Sequence, residues 1–83
     1  MPATDPCKKA KEALEKAKQN KARRLRELDE EKHKLAELRA EQPPDPKAIA
    51  AQEAEVEDAR NRFLKARDHV LEAQERVDEL CSP

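Results

Sequence analysis

The sequence predicts an all-α fold: two long antiparallel helices forming a coiled-coil hairpin with an Alacoil-like seam, able to dimerise into a four-helix bundle. Three observations predict it. The 83 residues include no glycine, and the six prolines stand only near the two ends and around position 44. Asp, Glu, Lys and Arg supply 45% of the chain, yet the net charge is −1, so the stretches between prolines are rich in helix formers without a disordering charge excess. Of 30 hydrophobic residues, 14 are alanine, 14 are Leu, Ile, Val, Phe or Met, and Phe63 is the sole aromatic. That stock suits one narrow seam rather than a globular core, which in so short a chain needs more large side chains.

The first element is a tail and N-cap, residues 1–5, in which Asp5 caps a helix and Pro6 takes its first turn. Helix 1 is expected over about 6–41. Gln42-Pro43-Pro44 stops it, because proline lacks a donor and clashes with the preceding turn. After the proline turn, 42–45, Asp45-Pro46 repeats the Asp-Pro device and opens helix 2 over 46–81, closed by the 82–83 tail, Ser82-Pro83. So short a connection favours an antiparallel hairpin.

Helix 2 carries a 3,4 spacing from end to end. Ile49, Val56, Phe63, Val70 and Val77 recur every seven residues, with Gln52, Ala59, Ala66, Ala73 and Leu80 between them. Large residues on one row and mostly alanine on the other make a narrow seam in which backbones approach closely. Helix 1 reads less regularly: Cys7, Ala10, Leu14, Ala17, Lys21, Leu25, Leu28, Lys32, Leu35, Leu38. Its 4,4 step at Lys21 predicts a stutter, with Lys21 and Lys32 covering the seam by their stems.

A turn near residue 44 pairs positions whose numbers sum to about 87. Leu14 then meets Ala73, Leu28 meets Ala59, Ala10 meets Val77, Ala17 meets Val70 and Leu38 meets Ile49, mostly large against small. The register sets residues 8–26, with nine Lys/Arg and two Glu, beside 68–79, with five acids and one Arg. It also places Cys7 beside Cys81 at the open end, which predicts a disulfide. Closing that loop is worth about 4 kcal/mol in chain-entropy terms, enough to decide whether so thin a hairpin folds alone.

A native disulfide implies an oxidising compartment, extracellular or periplasmic. The opening residues show no basic n-region or apolar h-region, so no signal peptide is expected, and no apolar run reaches the length of a membrane span.

Reactive chemistry is not expected, and neither an enzyme activity, a cofactor, a metal nor a small-molecule substrate is predicted. Glu30-x-x-His33 has the spacing of a di-metal carboxylate site, but it occurs once, on a solvated face. His33 and His69 fall about 20 Å apart in the expected register, too far to share a metal. Lys16, Lys18, Lys21, Arg23, Arg24 and Arg26 form a basic belt that could meet phosphates. The overall charge and the lack of stacking aromatics argue against nucleic acid. A second apolar strip, Leu25 and Ala22 with Leu64 and Leu71, lies outside the seam and points to a protein partner or to self-association.

The order Asp5-Pro6-Cys7, then Pro43-Pro44-Asp45-Pro46, then Leu80-Cys81 resembles disulfide-closed helical hairpin modules found in larger bacterial proteins. The resemblance spans the chain and implies the fold without assigning any functional residue. The expected role is a structural or protein-interaction module using Leu25, Leu64 and Leu71 as anchors. The alternatives are a nucleic-acid-binding or acidic-surface-binding arm using the basic belt, and a designed or excised scaffold without native activity.

Overall fold

The computed structural model describes residues 5–82, so the tail before Asp5 and Pro83 lie outside the described residues. Two helices make up the molecule, α1 (Pro6–Ala40) and α2 (Pro46–Cys81), packed against each other with no strand among the described residues. Contacts between Cys7 and Cys81, Glu31 and Gln52, and Arg39 and Glu53 show that α2 runs back along α1. The result is a rod of 66 × 18 × 16 Å with a radius of gyration of 18.9 Å. A compact domain of this length would have a radius near 12 Å.

The Asp-Pro pairs start both helices in the same way. Asp5 is extended (φ −72°, ψ 108°), and its carboxylate accepts from the Cys7 N–H at 3.0 Å. Asp45 (φ −101°, ψ 104°) accepts from the Lys47 and Ala48 N–H groups at 3.1 and 3.3 Å. Each carboxylate thus satisfies amides that the first turn leaves without a partner. Helix α1 ends at Ala40, one residue before the expected boundary. Glu41 turns extended (ψ 146°) as the chain approaches Pro43, and its N–H bonds the Leu38 carbonyl at 3.3 Å. The Ser82 hydroxyl donates to the Asp78 carbonyl at the other end.

The inward stripe of α1 corrects the expected stutter. Its buried and half-buried positions include Ala10, Leu14, Ala17, Lys21, Arg24, Leu28, Glu31, Leu35 and Leu38, in strict 4,3 alternation. Arg24 holds the place that an apolar reading gives to Leu25, and Glu31 the place given to Lys32. Asn20 and Glu27 share the edge of the stripe. Helix geometry, not residue type, sets which positions face inward, and the long stems of Lys21 and Arg24 tolerate them. On α2 the stripe includes Ile49, Gln52, Val56, Ala59, Phe63, Ala66, Val70, Ala73 and Val77 and then steps by four to Cys81. Leu80, assigned to the seam by its spacing, is instead 42% exposed, because turning Cys81 toward Cys7 rotates Leu80 off the contact line.

The core is uneven along the rod. Leu28, Leu35, Val56 and Ala59 form its buried cluster, with Ile49 and Phe63 packed on it, all in the half nearer the turn. Toward the open end the buried residues are Ala10, Leu14 and Ala66, and Ala66 is the most enclosed at 2% exposure. Alanine gives little transfer free energy, so this half has less to hold it together. Cys7 and Cys81 lie there at disulfide distance, Sγ–Sγ 2.05 Å and Cα–Cα 4.9 Å.

Three outcomes follow from this asymmetry. Reduction by a dithiol should destabilise the hairpin by up to about 4 kcal/mol. Amide exchange should then rise first over 8–20 and 67–80, while 28–38 and 49–60 keep their protection; equal loss along both helices would contradict the uneven core. Leu28→Ala should cost about 2–4 kcal/mol in denaturant melts.

Candidate interaction surface

Antiparallel packing gives the rod two distinct long sides. In such a pair, the residue following an inward position points to the same side on both helices, and the residue preceding it points to the opposite side. Two grooves show this. One, of about 390 Å³, is lined by Lys32, Ala36 and Arg39 of α1 and Glu53, Glu57 and Arg60 of α2, each one residue after an inward position, with Leu35 and Val56 at its floor. Another, of about 300 Å³ near the open end, is lined by Lys9, Ala13, Arg76 and Leu80, each one residue before an inward position, with Pro6, Ala10 and Ala73.

The second apolar strip falls wholly on the first of these sides, here termed the leucine side. Ala22 and Leu25 follow the inward Lys21 and Arg24, and Leu64 and Leu71 follow Phe63 and Val70. Leu25 is 43% and Leu71 58% exposed, whereas Leu64, also expected to be exposed, is half-buried beside the seam. A groove of about 390 Å³ runs here between Lys18, Lys21, Ala22, Leu25 and Val70.

The basic belt, in contrast, is divided. Lys16, Arg23 and Arg26 line one open groove with Gln19 and Asn20, away from the leucine side, while Lys21 and Arg24 lie on the inward stripe and Lys18 on the leucine side. Arg23 and Arg24 both pair with Glu27, at 3.7 and 3.0 Å. The acidic stretch 68–79, expected to offset the belt, forms no ion pair with it among the described residues; Arg39–Glu53, at 3.6 Å, is the one ion pair between the helices.

A polar clasp that residue spacing did not suggest sits on the seam. The Gln52 amide donates to the Glu31 carbonyl at 2.9 Å and to the Glu31 carboxylate at 2.6 Å. One side chain therefore ties both backbone and carboxylate of the facing helix, and a shift by one turn would break both bonds. Gln52 was visible as the polar member of the α2 row. Its partner was hidden because the expected register set Leu35 opposite Gln52 and the apolar spacing gave the place of Glu31 on the α1 row to Lys32. The Gln52 bond, followed by a bond and charge from Lys34, holds the Glu31 carboxyl below its ordinary 4.5, against the opposing effect of burial.

The Glu30 and His33 pair lies with Asp29, Lys34 and Glu37 along an open groove of α1 that includes part of the side opposite the leucines. No group of three or more His, Cys, Asp or Glu side chains converges as metal ligands would among the described residues. Nor is any described helix long and apolar enough to cross a membrane. No protein-family model matches this chain, and searches of curated proteins and of solved structures return no match.

The clasp predicts a pH effect. Because the Glu31 pKa is lowered on folding, its stabilising contribution is complete above the ordinary 4.5 and is lost as pH falls through the lower folded value. An NMR titration of Gln52→Ala should find the Glu31 carboxyl moved up toward that ordinary value; an unchanged midpoint would remove the clasp as the cause.

Proposed function

We propose that this chain is a non-enzymatic protein-interaction module. It acts as a disulfide-stapled antiparallel coiled-coil hairpin, packed at its open half in the close, alanine-mediated manner of an Alacoil. Its task is to present a rigid helical side to a partner or to a second copy. The observation that carries this reading is the leucine side: Leu25 and Leu71, two of the largest apolar side chains, stay exposed on the same side as Leu64. Contact with another apolar helical surface would bury them, and the same side of a second hairpin would do so by completing a four-helix bundle. Rigidity favours this use, because a stapled hairpin has little conformational freedom left to lose on binding.

A polyanion-binding arm is the less favoured reading: Lys18, Lys21 and Arg24 stand apart from Lys16, Arg23 and Arg26, Arg23 and Arg24 are already paired with Glu27, and Phe63, the sole aromatic, is half-buried in the seam rather than open to base stacking.

Sedimentation over a range of concentrations in about 1 M salt, where the Debye length is near 3 Å, isolates apolar association from charge. Species heavier than 9.5 kDa are expected, and Leu25→Glu with Leu71→Glu should abolish them while leaving helix content unchanged. A wild-type monomer at every concentration would exclude self-association through the leucine side.

A further inference from the structure

The side opposite the leucines has a charge pattern of its own. Read off as the residues preceding each inward position, its half toward the open end carries Lys9, Lys16 and Arg23 on α1 with Arg62, Lys65 and Arg76 on α2, against the single acid Glu72. Its half toward the turn carries Glu27, Glu30 and Glu37 with Glu55 and Asp58, against the single base Lys34. The change of sign falls between Arg23 and Glu27 on one helix and between Arg62 and Asp58 on the other, at the same level of the rod. On the leucine side, by contrast, bases and acids alternate with no such division: Lys32 and Arg39 lie with Glu53 and Glu57.

We propose that this charge-split side is a docking surface for a second copy of the same chain, laid antiparallel across a two-fold axis at the sign change. The occupant is fixed by charge complementarity. A two-fold across the rod sets α1 on α1 and α2 on α2 in opposite directions, so each basic half covers an acidic half. Arg62 then meets the second copy's Asp58, Lys65 meets its Glu55, and Arg23 meets its Glu27. Each contact occurs twice, as an isologous interface requires. A parallel copy would set like charges together, which is unfavourable.

Apolar surface supports the same arrangement. The groove lined by Ala10, Ala13, Ala73 and the exposed Leu80 lies on this side at the open end. Antiparallel docking brings the second copy's turn over it, with the second copy's Glu37 near Lys9 and Arg76. The contact would cover Leu80, the one large exposed apolar residue among the described residues that the leucine side does not include. A long face of a 66 × 18 × 16 Å rod offers on the order of 1,000 Å², against about 800 Å² per partner in a standard interface. The contact is independent of the leucine side and leaves that side facing outward on both copies.

The four α2 residues are the cleanest probes, since Arg62, Lys65, Glu55 and Asp58 are exposed and form no ion pair among the described residues. The experiment uses the oxidised full chain carrying Leu25→Glu and Leu71→Glu, which removes association through the leucine side. One version adds Arg62→Glu and Lys65→Glu, and another adds Glu55→Lys and Asp58→Lys. At low salt the unswapped chain should sediment as a dimer that dissociates as salt rises. Each charge variant alone should be monomeric, and their equimolar mixture should recover the dimer, because every reversed charge regains an opposite partner. Circular dichroism of the separate variants confirms that they fold. A monomeric unswapped chain at low salt, charge variants that dimerise alone, or a mixture of folded variants that stays monomeric would each overturn the proposal. An effect of the leucine substitutions at high salt alone would leave the leucine reading standing without this one.

Discussion

Each helix buries one stripe against the other, and that single contact is all the packing the fold contains. Everything else follows from how much the stripe can hold at each level. Near the turn, Leu28, Leu35, Val56 and Ala59 form a buried cluster with Ile49 and Phe63 against it, and the connecting loop keeps the helices together. Toward the open end the buried positions of the stripe are Ala10, Leu14 and Ala66, and its valines, Val70 and Val77, are only half-buried. Small side chains allow close approach but bury little apolar area. Cys7 and Cys81 meet at the end furthest from both the loop and the buried cluster. Their position supplies by covalent constraint what the packing there does not.

Polar groups on the stripe set register where apolar residues would permit sliding. A heptad of Val and Ala alone fits its partner almost equally well after a shift of one turn. Gln52 does not, because its two bonds reach the carbonyl and the carboxylate of one particular residue, Glu31. A single polar residue at a seam position is a known way to specify register at some cost in stability. The aliphatic stems of Lys21 and Arg24 extend the same logic, covering the seam while their charges reach solvent. Outside the stripe the two sides diverge, with exposed leucines on one and divided charge on the other. The rod therefore presents two long surfaces of different chemistry.

Much of the fold was legible because its signals are local. Two Asp-Pro pairs and a proline turn mark helix boundaries through backbone chemistry that needs no tertiary context, and the short connection leaves the chain little option but to fold back. The regular row on α2 was equally plain, since apolar residues occupy most of its positions. On α1 the same reading failed, because Arg24 and Glu31 are charged and Leu25 is not. Following residue type moved the row by one at two places and produced a stutter that helical geometry does not contain. Leu80 failed for a related reason: heptad spacing favoured it, but the cysteine next to it took the inward place.

By itself the sequence determined two uninterrupted helices, their antiparallel return and the meeting of the two cysteines, because these depend on caps, prolines and chain length. Only the tertiary structure decided which charged residues enter the seam, which leucines stay outside it, and on which side of the rod each remaining charge falls. Those are questions of rotation about a helix axis. A single residue's step turns a side chain by about 100°, so an error of one place that barely alters a helix boundary moves a side chain from the contact line to solvent.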